Sequence, residues 1–280
     1  MKGRFYDWMK GTVGGGLRLA LTGLRNLLFV RECAVCGQGV MPGWPNGSAM
    51  TTDGAAMTTH VMPGLTGHLL CEHCLDDLPL TRFWLYSENA AMESLAGCRV
   101  HNAASLFFYR HDSPYCEIVR QFKYGRRESL GLWAARLLGR YLAEGGLYTD
   151  VQAVVPVPLH PLKRWRRGFN QAEIIARGVA GGLSSRQIGE NSGKIPVVPH
   201  LLHRRRYTST QTRRSATSRR SNVSGAFAVN RRELERLQEA GVKHILIVDD
   251  VLTTGATLSE CIRLLQDHFT VSAATLGFVE

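Results

Sequence analysis

The sequence is short of acidic residues. Its 280 residues include 23 Asp and Glu against 34 Lys and Arg, which gives a formal charge of +11. This balance favours polyanionic partners such as nucleic acid, phosphorylated substrates or a membrane surface, unless the arginines merely solvate loops. No secretory leader is recognisable, and the apolar stripe near the N-terminus is too short and too charged to span a bilayer.

A dinucleotide-binding glycine motif is also missing, because the glycines at positions 11 and 14–16 neither follow a strand nor form G-x-G-x-x-G. Residues 1–30 predict an amphipathic helix, with leucines at helical spacing and arginines on another face. Such a helix packs onto its own domain or lies on a membrane, and we favour the first. We expect a cytoplasmic protein, with this helix able to lie at the inner face of the membrane.

Disulfides are not expected, although the sequence has seven cysteines. Four of them form two Cys-x-x-Cys pairs, namely Cys33, Cys36, Cys71 and Cys74. Two such pairs complete a tetrahedral site for a structural Zn²⁺, whereas a redox motif would need one pair beside a βαβ unit. Residues 31–80 are therefore predicted to be a zinc-ribbon module, in which 37–68 form a flexible insertion with few charges.

The most informative stretch is His244–Thr257, which reads HILIVDDVLTTGAT. Its apolar start predicts a strand buried on both faces, ending before Asp249 and Asp250. The loop that follows contains hydroxyls and Gly255, and Thr257 is the predicted N-cap of the next helix. Backbone N–H groups at such a helix start bind phosphate, and carboxylates accept hydrogen bonds from sugar hydroxyls. The alternative is a buried strand with a polar turn that only caps a helix.

Residues 100–280 predict an α/β domain with a mostly parallel sheet flanked by helices. The predicted strands are 105–109, 151–157, 195–202, 226–229, 244–248 and 275–279. Between the second of these strands and a helix lie four cations, Lys163, Arg164, Arg166 and Arg167. Open α/β sheets bind ligands at this position, so these cations predict an anion site.

Residues 203–220 contain seven arginines and no acidic residue. Little hydrophobicity accompanies the charge, so we expect this segment to be mobile without a ligand. Arginine clusters neutralise nucleic-acid phosphates, and Trp165, Phe169 and Tyr207 can stack on unpaired bases. The alternative is that the arginines solvate a loop and the aromatic rings belong to the core.

The segment VDDVLTTGAT resembles the 5-phosphoribosyl-1-pyrophosphate (PRPP) motif of type I phosphoribosyltransferases. Together with the two cysteine pairs and VPVPLHPLKRWRRGFNQA, in this order, it resembles the ComF family, which is linked to competence and the uptake of transforming DNA. The resemblance covers about residues 28–280, apart from the insertion after Cys36.

The resemblance implies a PRPP-dependent transferase that binds PRPP, or another ribose 5-phosphate compound, with Mg²⁺. It implies ribose contacts from Asp249 and Asp250, and catalytic roles for these two residues with Arg166 and Arg167. Phosphate and pyrophosphate contacts are implied for Thr253, Thr254, Gly255, Ala256, Thr257, Lys163 and Arg164, with Lys123 as a weaker candidate. Because fold does not fix function, a non-catalytic single-stranded DNA-binding protein that keeps this fold, and works with the DNA-uptake machinery, stays open.

Overall fold

A computed structural model describes residues 31–40, 69–125, 127–159, 168–185, 194–205 and 225–280. These residues belong to two compact units, one up to Asp77 and one from Leu78 onward. The predicted helix of residues 1–30 and most of the 37–68 insertion lie outside the described residues. Within the described ranges, no helix has the length and apolarity that crossing a bilayer requires.

The first unit is a small hairpin joined to a short helix. Strands β1 (Arg31–Glu32) and β2 (Gly39–Val40) pair antiparallel, and the turn between them contains the first cysteine pair. The N–H of Cys33 donates to the carbonyl of Gln38 at 2.7 Å and closes this turn. Helix α1 (Glu72–Asp76) begins directly after Cys71, so the second cysteine pair lies at its first turn.

The second unit is built on a parallel sheet. Its elements, in chain order, are a 3₁₀ helix (Phe83–Leu85), α2 (Ala90–Ser94), β3 (Ala103–Phe108), α3 (Cys116–Tyr124), α4 (Glu128–Gly145), β4 (Ala153–Pro156), α5 (Gln171–Ser184), β5 (Leu202–Arg204), β6 (Phe227–Val229), α6 (Arg231–Glu239), β7 (His244–Leu252), α7 (Ala256–Leu265) and β8 (Thr270–Phe278). Strands β3, β8, β7 and β4 form the sheet in that order, and all neighbours are parallel. The predicted fold class is confirmed.

Alternation along β7 assigns its side chains to two layers. Ile245 and Ile247 are fully buried in a core cluster that also contains Leu258 and Ile262 of α7. Leu246 and Val248 are buried too, and they point to the other face because successive side chains of a strand alternate. Helices α4 and α5 pack so closely that a Cβ on Gly139 would lie 2.3 Å from the Val179 carbonyl oxygen.

Two of the predicted strands do not join the sheet. Residues 195–202 contribute only a bridge, in which Val197 pairs with Val154. Pro196 and Pro199 flank that bridge and lack the N–H donors that a longer ladder needs. The chain then forms β5, which pairs antiparallel with β6 in a separate ribbon. The prediction of a single sheet for all six strands was therefore wrong.

Candidate functional site

The acidic pair lies near the carboxyl end of β7, between β4 and β8. The predicted end of the strand before Asp249 is wrong, because the ladder with β8 continues from Asp249 opposite Thr275 to Leu252 opposite Phe278. This long neighbour supplies backbone partners for the polar end of β7. Both carboxylates are therefore held on regular backbone, which fixes their positions better than a loop would.

Asp249 and Asp250 are half-buried and face different neighbours, as the alternation of side chains requires. The ammonium of Lys123, in the last turn of α3, lies 3.0 Å from Asp250 Oδ1. Asp249 instead interacts electrostatically with Arg204 of β5 and with the buried thiol of Cys261 in α7. In the described residues, Lys123 thus lies beside Asp250, and Arg204 acts on Asp249 from a different element.

The pKa of Asp249 is far above the ordinary value for an aspartate. Burial, followed by the negative charge of Asp250, raises the pKa of Asp249 to about 7. The N–H of Asp250 donates to Asp249 Oδ1 at 2.8 Å, and together with the charges of Lys123 and Arg204 it offsets part of that rise in pKa. A carboxyl group that changes charge near neutral pH at an open sheet edge is a candidate for function.

The two cations beside the acids respond to their surroundings in opposite directions. Burial alone would lower the pKa of Lys123, but the charges of Asp250 and Asp249 raise it above its ordinary value. Burial lowers the pKa of Arg204, whose guanidinium lies 5.0 Å from the ring centroid of Phe227. Lys123 therefore stays charged, and the Phe227 ring stabilises the buried Arg204 cation.

The loop after β7 leads directly into helix α7. Gly255, with φ of +69°, is the N-cap, and no side chain in the described part of the chain caps this helix. The prediction of Thr257 as N-cap was wrong, because the left-handed Gly255 lets the helix begin at Ala256 and places Thr257 in the first turn. The first N–H groups of a helix lack intrahelical acceptors, so this start is suited to an anion.

Gly255 also meets a close neighbour that the sequence did not reveal. A Cβ on this residue would lie 2.5 Å from the carbonyl oxygen of Ser94, at the end of α2. The segment after α2 is tied to α7 as well, since Arg263 Nη2 donates to the Gly97 carbonyl at 3.1 Å. Glycine is therefore required here by protein packing and by the positive φ, before any phosphate is considered.

The basic segment that follows β4 lies outside the described residues, which include neither Lys163 and Arg164 nor Arg166 and Arg167. The last residue of β4, Pro156, pairs with Val248 of β7, directly before the acidic pair. The chain is described again from Gly168, and the side chain of Asn170 caps α5. Anion binding by the four cations stays a prediction.

Two residues of this site, Lys123 and Arg204, are not predicted clearly by the sequence. The sequence indicates Lys123 only weakly, since nothing in its local motif shows that α3 ends beside β7. It predicts Arg204 as part of the mobile segment 203–220, whereas the structure describes it in β5, paired with Phe227. Both contacts depend on helix and ribbon packing, and the positive charge beside a predicted acidic pair was the only available signal.

The four paired cysteines lie together in the first unit. Their Sγ atoms are all within 4.8 Å of one another, and Cys36 Sγ lies 3.7 Å from Cys71 Sγ. Four Zn–S bonds of about 2.3 Å in a tetrahedron place sulfurs about 3.8 Å apart, so the cluster fits Zn²⁺. Burial alone would raise the pKa of Cys33, but backbone N–H groups, including that of Val35 at 3.5 Å, lower it to about 6. The cluster therefore suits a structural metal that binds thiolate.

Comparison with known proteins agrees with this geometry. The family described as "Phosphoribosyl transferase domain" matches residues 166–275, which include β7, the loop after it and α7. Residues 166–275 are thus similar to a phosphoribosyltransferase domain, and they include the acidic pair and the uncapped helix start at one edge of the parallel sheet.

Three relatives are similar to this chain over about half of its length. The chain is 32% identical over 160 residues to Competence protein F of Haemophilus influenzae, covering 55% of this chain and 62% of that protein. It is 32% identical over 155 residues to DNA utilization protein YhgH of Escherichia coli K12, and 33% over 155 residues to the Salmonella typhimurium protein of the same name, covering 54% of this chain and 61% of each relative. The chain thus spans about six tenths of the length of these relatives, and its resemblance to the ComF family is confirmed.

Proposed function

We propose that this chain binds PRPP, or another ribose 5-phosphate compound, together with Mg²⁺ at the carboxyl edge of its sheet. The observation that carries the proposal is the half-buried pair Asp249 and Asp250 next to the uncapped start of α7. A phosphate needs only the helix start, whereas vicinal sugar hydroxyls need acceptors beside it. The site offers both at one loop, as a phosphorylated ribose requires.

As a transferase, the protein would act mainly by positioning and electrostatics. The bond between C1 of the ribose and the pyrophosphate oxygen breaks, the pyrophosphate leaves with that electron pair, and an acceptor nucleophile bonds to C1. Asp249 and Asp250 hold the ribose hydroxyls, and residues 253–257 hold the 5′-phosphate. Arg166 and Arg167, with Lys163 and Arg164, neutralise the pyrophosphate. When bound with the substrate, Mg²⁺ would supply further neutralisation of the pyrophosphate charge.

Calorimetric titration of PRPP with Mg²⁺ tests the binding proposal. Losing hydrogen bonds to charged acceptors costs about 1.5–3 kcal/mol, so the double variant Asp249→Asn with Asp250→Asn should bind PRPP about tenfold to a hundredfold more weakly. Its affinity for inorganic phosphate should be unchanged. The matched control is Asp112→Asn, which removes an exposed carboxylate paired with Arg110. Wild-type protein that ignores PRPP would refute the proposal.

Transferase activity is a separate step of the proposal. Release of pyrophosphate from PRPP should depend on an acceptor when bases, amines and ammonia are supplied in turn. Activity that is lost in the double Asn variant and kept in Asp112→Asn would support catalysis at this site. Binding of PRPP without acceptor-dependent release would indicate a protein that senses or carries a phosphorylated ribose.

The second candidate function is binding of single-stranded DNA, in a role linked to competence and DNA uptake. Support comes from the charge of +11 and from the names of the relatives, Competence protein F and DNA utilization protein YhgH. The ring centroids of Phe169 and Phe122, however, lie 6.0 Å apart. Because Phe169 contacts another ring of the protein, it is a poorer candidate for stacking on bases than Trp165 or Tyr207. Alanine at Arg204, Arg205, Arg206, Arg213 and Arg214 should weaken binding and flatten its salt dependence. Unchanged affinity and slope would remove this candidate.

We further propose that Cys33, Cys36, Cys71 and Cys74 hold one structural Zn²⁺ per chain. The spacing of the four sulfurs supports this ion, and two short strands with one short helix offer little core without it. Elemental analysis of protein purified without added metal should find one equivalent of zinc, and Cys71→Ser should lose it. The matched control Cys98→Ser should retain it, and freely alkylated wild-type thiols would contradict the proposal.

A further inference from the structure

The ion pair between Lys123 and Asp250 differs from the other ion pairs in the described ranges. About a fifth of each side chain is exposed, 20% for Lys123 and 19% for Asp250. Each of the other ion pairs there has at least one side chain that is half or more exposed, as in Arg120 with Glu117, where 62% of the arginine side chain is exposed. Exposed pairs contribute little, so Lys123–Asp250 is the pair whose geometry matters most.

The position of Lys123 is fixed by the packing of α3. Ile118, Val119 and Phe122 of this helix are fully buried, so its last turn cannot shift without breaking core contacts. The ammonium is therefore held at Asp250 by a rigid element rather than by a mobile loop.

The surroundings of the acidic pair define what Lys123 does there. Within the described ranges, the titratable and charged groups that face the pair are Lys123 from α3, Arg204 from β5, Cys261 from α7 and Tyr109 after β3. Cys261 and Tyr109 are neutral at pH 7, since burial raises the pKa of each above its ordinary value. Among the residues that the structure describes, Lys123 and Arg204 are thus the positive charges beside the two acids.

We propose, on the basis of the proposed PRPP site, that Lys123 is a positioning residue that fixes Asp250 and keeps both acids available as hydrogen-bond acceptors for a ribose. An ionised carboxylate accepts hydrogen bonds at both oxygens, whereas a protonated one loses acceptor capacity. Lys123 would thereby determine whether the site selects a sugar phosphate over phosphate alone.

The charge of Lys123 also acts on the neighbouring acid. It lowers the pKa of Asp249, against the larger effects of burial and of Asp250 that raise it. Without Lys123, Asp249 should hold its proton to a higher pH, and the ribose would meet one acceptor fewer at pH 7. Affinity for a ribose phosphate should then recover as the pH rises.

The test compares Lys123→Met and Lys123→Gln with the conservative Lys123→Arg. The matched control is Arg120→Met, which removes a cation from the exposed face of the same helix. Affinities for PRPP with Mg²⁺ and for inorganic phosphate are measured by calorimetry between pH 6 and pH 9 for each variant.

We expect the Met and Gln variants to bind PRPP about fivefold more weakly at pH 7, because a rise of about one pKa unit from about 7 lowers the ionised fraction of Asp249 from about a half to about a tenth. Their affinity should approach that of the wild type near pH 9, and phosphate binding should be unchanged. Lys123→Arg and Arg120→Met should behave like the wild type. A loss that is equal at every pH would mean that Lys123 only supports the fold, and no loss would overturn the proposal.

A second readout separates this inference from the proposed function. The carboxyl carbon of Asp249 can be titrated by NMR without ligand, and its apparent pKa should be higher in Lys123→Met or Lys123→Gln than in the wild type. If the wild type ignores PRPP, the proposed function fails, and this titration still decides the role of Lys123. An unchanged titration would show that Lys123 does not control the acidic pair.

Discussion

The two ends of β7 carry polar side chains in contrasting surroundings. At the amino end, the imidazole of His244 is buried, with Nε2 at 2.8 Å from Ser272 Oγ and Nδ1 at 2.9 Å from Asp150 Oδ1. Serine, histidine and aspartate are here in the order of a catalytic triad, but Ser272 is fully buried and no substrate reaches it. At the carboxyl end, Asp249 and Asp250 remain partly exposed beside an uncapped helix start.

The difference between these ends separates polar groups that hold the fold from groups that are available to a ligand. His244 thus links β7 to Ser272 of β8 and lies beside Asp150, three residues before β4. Asp249 instead has a pKa of about 7, because burial and Asp250 oppose its charge. Protein groups thus surround the amino end, and the proposed function assigns a ligand to the carboxyl end.

The largest effect on stability is expected at Gly255, near the carboxyl end of β7, because this residue also packs against the protein. Gly255→Ala combines a left-handed φ with a Cβ 2.5 Å from the Ser94 carbonyl oxygen. The strain costs about 1–2 kcal/mol and the overlap about 1–3 kcal/mol, so the free energy of unfolding should fall by about 2–5 kcal/mol. Urea denaturation measures it, with Gly241→Ala as the control, since it has a positive φ of +73° but open space around its Cβ. Equal losses in both variants would exclude the Ser94 contact as the cause.

A smaller loss of unfolding free energy is expected at the amino end of β7. His244→Ala leaves Ser272 Oγ buried without its partner, which costs about 1–3 kcal/mol of unfolding free energy. PRPP affinity should stay within about twofold of the wild type, because the change is at the opposite end of the strand. His268→Ala, at an exposed histidine, is the control. If His244→Ala lost PRPP binding without losing stability, the division between the two ends would be wrong.

The dependence of stability on pH should show the two ends acting in opposite directions. Asp249 has a raised pKa in the folded state, so its contribution to stability falls as the pH rises from about 4 to about 7. Burial lowers the pKa of His244, so its contribution falls as the pH drops below about 6.5. Urea midpoints at pH 5, 6, 7 and 8 for Asp249→Asn and His244→Ala measure each part. Parallel pH profiles for the two variants and the wild type would contradict this assignment.

The sequence predicted the elements of this site better than their contacts. The run HILIV, the acidic pair and TTG define β7 and its loop, because burial pattern and turn chemistry are local properties. The parallel sheet followed from alternating strands and helices. The separate ribbon was missed, since pairing of β5 with β6 is a non-local choice that only Pro196 and Pro199 hinted at. Lys123 beside Asp250 depends on how α3 packs, which no local pattern encodes.

Thermal unfolding of Asp249→Asn at pH 8, with and without PRPP and Mg²⁺, tests the central claim that the carboxyl end serves a ligand rather than the fold. The Asn side chain can still accept from the Asp250 N–H but carries no charge beside Asp250. Without ligand, the variant should melt about 2–4 °C above the wild type, corresponding to about 1 kcal/mol. PRPP should raise the melting temperature of the wild type more than that of the variant, because the variant binds it more weakly. A variant that melts below the wild type, or that PRPP stabilises as strongly, would contradict the account.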